Sequence, residues 1–395
     1  MKIIKFTFIW FFFLITIIQA EINSQKNIDS IQSINDEIYS FAVIGHAYGA
    51  PSTSVYPSAS LLSGVNKIAD YRPNFLILLG DTIQHGSSAS NILNLKENKI
   101  QKFNDAQLET LQKLFVDKIN APVLNVPGNH DDPEGEWYKY NFGNNSNINF
   151  KINSEAFILF NSMNLCGGNK EINLEEKFIL ENLQKYKNNT DIKNIFLLMH
   201  QAIFTSENNE LKDVKYWVNG GLAKCPSYTD KILPVLNELQ KKIKIFLIAG
   251  DTGCKDYKLG AAPIDTFPLF FHKRENINYL ISGVCENIND NFVNIIINNG
   301  EVDFEPVSFL YDRMNNIEAY NLGYWKEHFL NWKQKQEKFE TEHQIEIFKR
   351  DKPTNKIKKI IKLIEDMFKS KKFYAGIIFS FIILFFFKRF ILIFR

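Results

Sequence analysis

Five short apolar runs each lead into a residue that can bind a metal or move a proton. Gly45-His46-Ala47-Tyr48-Gly49 ends the first and Gly80-Asp81 the second. Gly128-Asn129-His130-Asp131 follows the third, His200 closes the fourth, and Gly250-Asp251 ends the fifth. One histidine beside an apolar run is ordinarily structural, but donors in the same relation to five runs are hard to explain as caps and turns. Carboxylate, amide carbonyl and imidazole together, without thiolate, suit Mn, Fe or Zn more than Ca or Mg alone. Two such ions about 3.5–4 Å apart can share a carboxylate and activate water for in-line attack on phosphorus. A neighbouring imidazole is then free to protonate the leaving oxygen.

The elements that must position these donors are legible around them. Residues 39–45, 74–80, 123–127, 195–200 and 243–250 read as buried strands, rich in β-branched and aromatic residues and stopped by Gly, Asp, Asn or His. Helical periodicity lies between several of them, over 60–69, 105–119, 174–186 and 228–241. Alternating strands and helices predict an α/β sheet. Later runs at 278–282, 292–297 and 302–308 lie close together, and Asn298-Asn299-Gly300 marks a hairpin. The expected fold is α/β, with two mixed sheets packed as a sandwich and flanked by helices. In open α/β sheets ligands gather at the C-terminal strand ends, where these donors fall.

On these strings the chain resembles the calcineurin-like metallophosphoesterases, over roughly residues 39–310. Leu78-Leu79-Gly80-Asp81 is similar to the second motif of that family, and Val126-Pro127-Gly128-Asn129-His130-Asp131 to its third, the most specific of the set. Met199-His200 is similar to the fourth. The resemblance implies that Asp81 bridges two metals and that Asn129 and His200 bind one of them. It also implies that His130 stabilises the attacked phosphate and assists the leaving group.

The first and fifth motifs depart from the family. His46-Ala47-Tyr48 stands in place of Asp-x-His, and Gly250-Asp251-Thr252-Gly253 in place of Gly-His-x-His. Gln84 replaces the Asp that ends the second motif. Two readings are open here. In one, His46 and Asp251 are exchanged ligand types and Asp81, Asn129, His200, Asp251 and His46 hold one or two divalent or trivalent ions (Mn, Fe or Zn). Asp81 and His130 then act in hydrolysis of a phosphomonoester or phosphodiester of undetermined class. In the other, the site has decayed and the domain is a binding or scaffold module at a membrane. Single residues have blander readings too: Asp251 as a turn cap, His46 as a hydrogen-bonded polar residue near the surface, Tyr48 as a pocket wall rather than a phenolate ligand. Asp131 and Asp132 are expected to hold their loop, His85 to lie at the rim, and His272, His328 and His343 to have no catalytic role.

The ends differ from the body. Residues 1–20 combine Lys2 and Lys5, an apolar run and Ala20, the plan of a cleaved secretory leader, with an uncleaved anchor as the alternative. Residues 373–395 are apolar but for Lys388, Arg389 and the terminal Arg395, and read as a single span with its C-terminus in the cytoplasm, or otherwise as an interfacial helix. The expected division is a leader (1–20), a linker (21–38), the catalytic-type domain (39–310), a helical extension (311–351), a basic amphipathic stalk (352–372) and the membrane anchor (373–395). The protein is thus expected outside the cytoplasm and held at a membrane. Four cysteines fit that routing as disulfides, and of three pairings Cys166–Cys225 with Cys254–Cys285 is favoured. Lys and Arg (46) nearly balance Asp and Glu (44), so bulk charge indicates no nucleic-acid partner. Asn144-Asn145-Ser146 and Asn188-Asn189-Thr190 are glycosylation sequons that an Asn-rich chain also produces by chance.

Overall fold

Parallel strands buried on both faces need unbroken apolar sequence, and the inner strands have it: β2 (Phe75–Leu78) reads FLIL, and β6 (Asn194–Met199) reads NIFLLM with every residue buried. The computed structural model describes residues 25–49, 54–84, 97–131, 147–166, 172–207, 210–211, 214, 224–252, 267–285, 288–328, 330 and 334. The leader, stalk and terminal apolar segment lie outside them, as do His85, Asp132, Cys254, His343 and the first sequon. Among the described residues no helix is long and apolar enough to cross a membrane.

Two mixed sheets form. The first runs β11-β10-β1-β2-β3, where β1 (Ile38–Ile44), β2 and β3 (Val123–Asn125) are parallel, and β10 (Asn291–Asn298) and β11 (Glu301–Ser308) join antiparallel. The second runs β4-β5-β6-β7-β9-β8, with β5 (Glu155–Leu159), β6, β7 (Lys244–Ala249) and β9 (Ile277–Ser282) parallel. β4 (Ile148–Ile152) and β8 (Leu269–Arg274) close its edges antiparallel. The Asn299–Gly300 turn has φ of +53° and +85°, the left-handed pair that a two-residue hairpin favours.

Phenylalanines fill the space between the sheets. Phe150, Phe157, Phe196 and Phe246 stack rank by rank across β4 to β7 at centroid spacings of 4.7, 4.9 and 4.6 Å. Phe41 and Phe75 from the first sheet meet Phe157 edge-on at 5.4 and 5.7 Å. Part of the 35 Phe thus forms the sandwich interior. Outside the first sheet, α1 (Ala59–Tyr71) and α2 (Glu97–Leu114) bury Leu61, Ile68 and Leu111 against Ile44, Leu76 and Leu78. Ser58 caps α1 by accepting from Leu61 N, and Arg72 ends it in a left-handed conformation before Pro73. Outside the second sheet, α3 (Ile172–Lys187) and α4 (Leu233–Leu239) bury Ile179, Leu183 and Leu236. α4 is entered through a π-helical turn, Ser227–Ile232.

Two differences from the sequence reading have physical reasons. Strands β4, β5 and β8 were not anticipated; β4 alternates buried and half-buried positions as an edge strand does, and only a two-residue Asn153-Ser154 turn separates it from β5. The stretch read as a linker holds a helix over 25–32, because Ile28 and Ile31 share one face and Ile31 is wholly buried in the cluster between the sheets, with Ile34 packed there just beyond the helix end. Further along, within 311–351, the 3-10 turn Ile317–Tyr320 and a helix over 322–328 pack onto the core. Trp325 is fully buried there and donates from Nε1 to Leu269 O at 2.9 Å.

Candidate metal centre

The parallel strands of both sheets end at one edge of the sandwich, where the sheets touch. A Cβ on Gly45 would lie 2.1 Å from the carbonyl oxygen of Gly250, so only glycine permits this approach. His46 N donates to Gly80 O at 3.1 Å, while Gly250 N and Asp251 N both donate to His200 O at 2.9 Å. Four of the five strand ends are laced together before any side chain is considered. His46 and Asp81 both hold left-handed backbone, with φ of +59° and +53°. Such conformations persist in non-glycine residues where the surroundings enforce them, often at functional sites.

Above this lacework, His46, Asp81, Asn129, His200 and Asp251 come together, with His130 at their side. All but Asn129 and His130 are buried. His200 donates from Nδ1 to Leu79 O at 2.8 Å. Its other nitrogen, Nε2, faces Asn129 Oδ1 at 3.0 Å, Asp81 Oδ1 at 3.2 Å and Asp251 Oδ2 at 3.6 Å. A ring nitrogen facing two carboxylates and an amide oxygen is well placed to share a metal with them. A backbone carbonyl fixing the far nitrogen is the usual support of a metal-binding histidine. His46 Nε2 lies 2.9 Å from Asp251 Oδ1 and 3.6 Å from Asp81 Oδ2. That second Asp81 oxygen is buried and makes no hydrogen bond, a state that costs free energy unless a cation meets it.

The donors fit a metal. An ion about 2.0–2.2 Å from each ligand sets neighbouring donors roughly 3–3.5 Å apart, close to the spacings found here. His46, His200 and Asp251 bring their ligand atoms within 4.8 Å of one another. Without a metal the carboxylates are forced apart in behaviour. Burial, together with Asp251 and Asp131, pushes Asp81 well above the usual carboxylate range, although His46 and the His130 N–H pull it down. Burial also acts to raise Asp251, but His200, His46 and His130 hold it below that range.

His130 is 28% exposed and its Nε2 lies 3.9 Å from the free oxygen of Asp81. Its backbone N–H donates to Asp81 Oδ1 at 3.0 Å, and its Nδ1 accepts from the Gln84 amide at 2.9 Å. Gln107 on α2 grips Gln84 by accepting from its N–H at 2.8 Å and donating to its carbonyl at 2.9 Å. Nothing in the sequence pointed to Gln107, because its position reads as an ordinary helix residue. Asp131 holds the loop, accepting from Thr82 N, Ile83 N and Gly128 N at 2.7, 3.0 and 2.8 Å. Tyr48 is buried between His46 and His130, at ring spacings of 5.5 and 5.3 Å. The Asp251 carboxylate turns to His46 and His200 rather than capping a turn. Cys166 and Cys225 form a disulfide; Cys285 is also in one. A separate cavity of about 190 Å³, lined by Lys244, Phe246, Asn278 and Phe304 among others, lies toward the opposite strand ends and holds none of these donors.

An α/β sandwich with carboxylate, amide and imidazole donors at one edge is the architecture of a metal-dependent hydrolase. Residues 57–225 match the calcineurin-like phosphoesterase family, so that segment carries a calcineurin-like phosphoesterase domain. It includes Asp81, Asn129, His130 and His200 and leaves out the altered motifs at His46 and Asp251. Among solved structures, a dimetal phosphatase from Danio rerio is 13% identical with a TM-score of 0.44, covering 69% of this chain and 97% of its own. GAP50, the anchor in the inner membrane complex of Plasmodium, is 14% identical with a TM-score of 0.42, covering 75% and 95%. The purple acid phosphatase PPD1 of yellow lupin seeds is 11% identical with a TM-score of 0.41, covering 71% and 53%. No curated protein matches the chain. Likenesses this distant leave function to be read from the site.

Proposed function

We propose that this chain is an exported, membrane-anchored, metal-dependent phosphoesterase acting on phosphomonoesters or phosphodiesters. The observation that carries the reading is convergence. His46 and Asp251, the residues of the two altered motifs, face the same buried point as Asp81 and His200 instead of pointing apart. Asp81, Asn129, His200 and Asp251 would hold a metal of the Mn, Fe or Zn class, with His46 completing the cluster. When bound, such a metal acidifies water and draws charge from a phosphoryl oxygen. His130, exposed at the lip with Nδ1 occupied by Gln84, keeps an Nε2 proton for the leaving oxygen. Asp81 both binds and fixes the His130 backbone. The leader-like start, the apolar C-terminal segment and the disulfide at Cys166–Cys225 support export and anchoring, since disulfides persist in oxidising compartments.

A second reading is a binding or scaffold module on the same fold. One observation favours it: the His46 ring already hydrogen-bonds to the Asp251 carboxylate, a pairing able to close part of the site on itself.

Elemental analysis of the full chain, purified in detergent without chelators, tests the reading, with Asp81→Asn alongside. One or two equivalents of Mn, Fe or Zn, absent from the variant, together with hydrolysis of p-nitrophenyl or bis-p-nitrophenyl phosphate, is the expected result. A chain that takes up no metal after reconstitution and hydrolyses neither ester supports the scaffold instead.

A further inference from the structure

Asp81 and Asp251 divide their oxygens in the same way. Asp81 turns Oδ1 to His200 Nε2 at 3.2 Å and Oδ2 to His46 Nε2 at 3.6 Å. Asp251 turns Oδ2 to His200 Nε2 at 3.6 Å and Oδ1 to His46 Nε2 at 2.9 Å. Each carboxylate therefore spans the same two imidazoles, one oxygen to each. His200 has a further donor beside it, Asn129 Oδ1 at 3.0 Å, while His46 is accompanied by the two carboxylates. The ring centroids of His46 and His200 are 5.6 Å apart.

From this division we propose that the chain binds two metals in unequal positions joined by a double carboxylate bridge, Asp81 and Asp251. The position at His200 has four protein donors: His200 Nε2, Asn129 Oδ1, Asp81 Oδ1 and Asp251 Oδ2. The position at His46 has three: His46 Nε2, Asp81 Oδ2 and Asp251 Oδ1. The buried Asp81 Oδ2, which makes no hydrogen bond, is the independent sign that the second position is built for a cation. A site with three protein ligands leaves coordination open for water or substrate, as catalytic sites do. The substitution of Asp for the fifth-motif imidazole is then a change of architecture: an aspartate reaches both positions where a histidine would serve one. The proposal rests on the metal-binding part of the function given above.

The test is a Mn(II) titration of the full chain in detergent, stripped of metal beforehand, with free Mn(II) counted by electron paramagnetic resonance. One tight equivalent is expected, then a second weaker by about tenfold or more, since lost donors commonly cost that much. At two equivalents, spin coupling through the shared carboxylates should broaden the bound signal. His46→Asn keeps a residue that tolerates left-handed backbone, and should abolish the second equivalent and the coupling while sparing the first. Asp251→Ala should weaken both equivalents, with circular dichroism confirming that each variant folds. Two equal equivalents, a single equivalent at saturation, a His46→Asn protein that still takes two, or an Asp251→Ala protein with unchanged binding overturns the double bridge while leaving a metal-dependent phosphoesterase intact. No Mn(II), Fe or Zn uptake at all overturns both.

Discussion

The Gln84 amide nitrogen donates to Nδ1 of His130 across 2.9 Å, and Gln107 holds both backbone groups of Gln84. A helix on the outer face of the first sheet thereby sets the ring on which proton transfer depends. With Nδ1 accepting, the ring proton belongs to Nε2, the nitrogen that looks toward Asp81. The family motif would place a carboxylate at Gln84; an amide holds the ring without adding charge.

Gln84→Leu should therefore lower phosphoester turnover by about 10–100-fold, the usual cost of losing a residue that orients a working group, with metal content unchanged. Gln84→Glu replaces the donating amide with an acceptor, so Nδ1 must carry a proton to keep the bond, and the added negative charge favours that doubly protonated ring. Its pH–rate profile should keep its shape with the basic limb displaced upward. Profiles for both variants beside elemental analysis check this. Unchanged turnover in Gln84→Leu would remove Gln84 from the mechanism.

Removing the metal should reveal the strain of the carboxylates. In the chelated protein Asp81 is raised by burial, Asp251 and Asp131, so its folded pKa exceeds its unfolded value of 3.8. The folded state then binds the proton more tightly, and this group's contribution falls as pH rises from about 3.8 through the raised value. Asp251 works in the opposite sense, because its depressed pKa gives stability that is lost only as pH falls through that lower value. With chelator, Asp81→Asn should match or exceed wild-type Tm at pH 8. With saturating Mn(II) the order should reverse, because only wild type gains ligand-linked stability. Differential scanning calorimetry across pH 5–8 reads the crossing.

The sequence made the inner strands plain because they carry unbroken apolar runs that end in polar donors. Phe75–Leu78 and Asn194–Met199 needed no partner to be recognised. Edge strands were harder. Phe150 on β4 packs on the Phe157 ring, but its alternating neighbours and two-residue turn are too short a signal to separate from a loop. At the site, residue types marked out Asp81, Asn129, His130 and His200. What sequence could not settle was direction: whether His46 and Asp251 would face inward depends on two strand ends, from different sheets, meeting at Gly45 and Gly250. Gln107 was invisible for a similar reason, since its partner is backbone rather than a motif.

A second buried ionic group lies behind β8 and β9. Glu207 accepts from Tyr279 Oη at 3.0 Å and from Tyr228 Oη, and pairs with Arg274 at 2.7 Å. Burial raises Glu207, and Tyr228, Arg274 and Tyr279 only partly offset it. Its folded pKa therefore lies above the unfolded value of 4.5, and its contribution falls as pH rises through that window. Arg274→Met should cost about 2–3 kcal/mol at pH 8, less than a fully buried pair would lose because the Arg274 side chain is 29% exposed. The cost should shrink near pH 5, and Glu207→Gln in the same background should recover much of it. Urea melts of the double-mutant cycle at both pH values measure the coupling; a pH-independent cost would mean that lost packing, not charge, is responsible.

The Cys166–Cys225 bond joins the short helix Ser162–Cys166 to the residues that enter the π-helical turn, across a sequence separation of 59. Closing a loop of that length removes unfolded-state entropy worth about 4 kcal/mol. Both cysteines sit against the core outside the second sheet, and neither is among the metal donors. Cys166→Ser/Cys225→Ser should lower Tm by roughly 8–10 °C at the few degrees per kcal/mol expected for a domain of this size. Mn(II) content should be unchanged, because neither cysteine is a donor. Thermal melts of the double variant and wild type under non-reducing conditions, with metal measured on the same samples, provide the check. Equal melting temperatures would show that the bond adds no stability, and a loss of metal would show that this face of the second sheet communicates with the site.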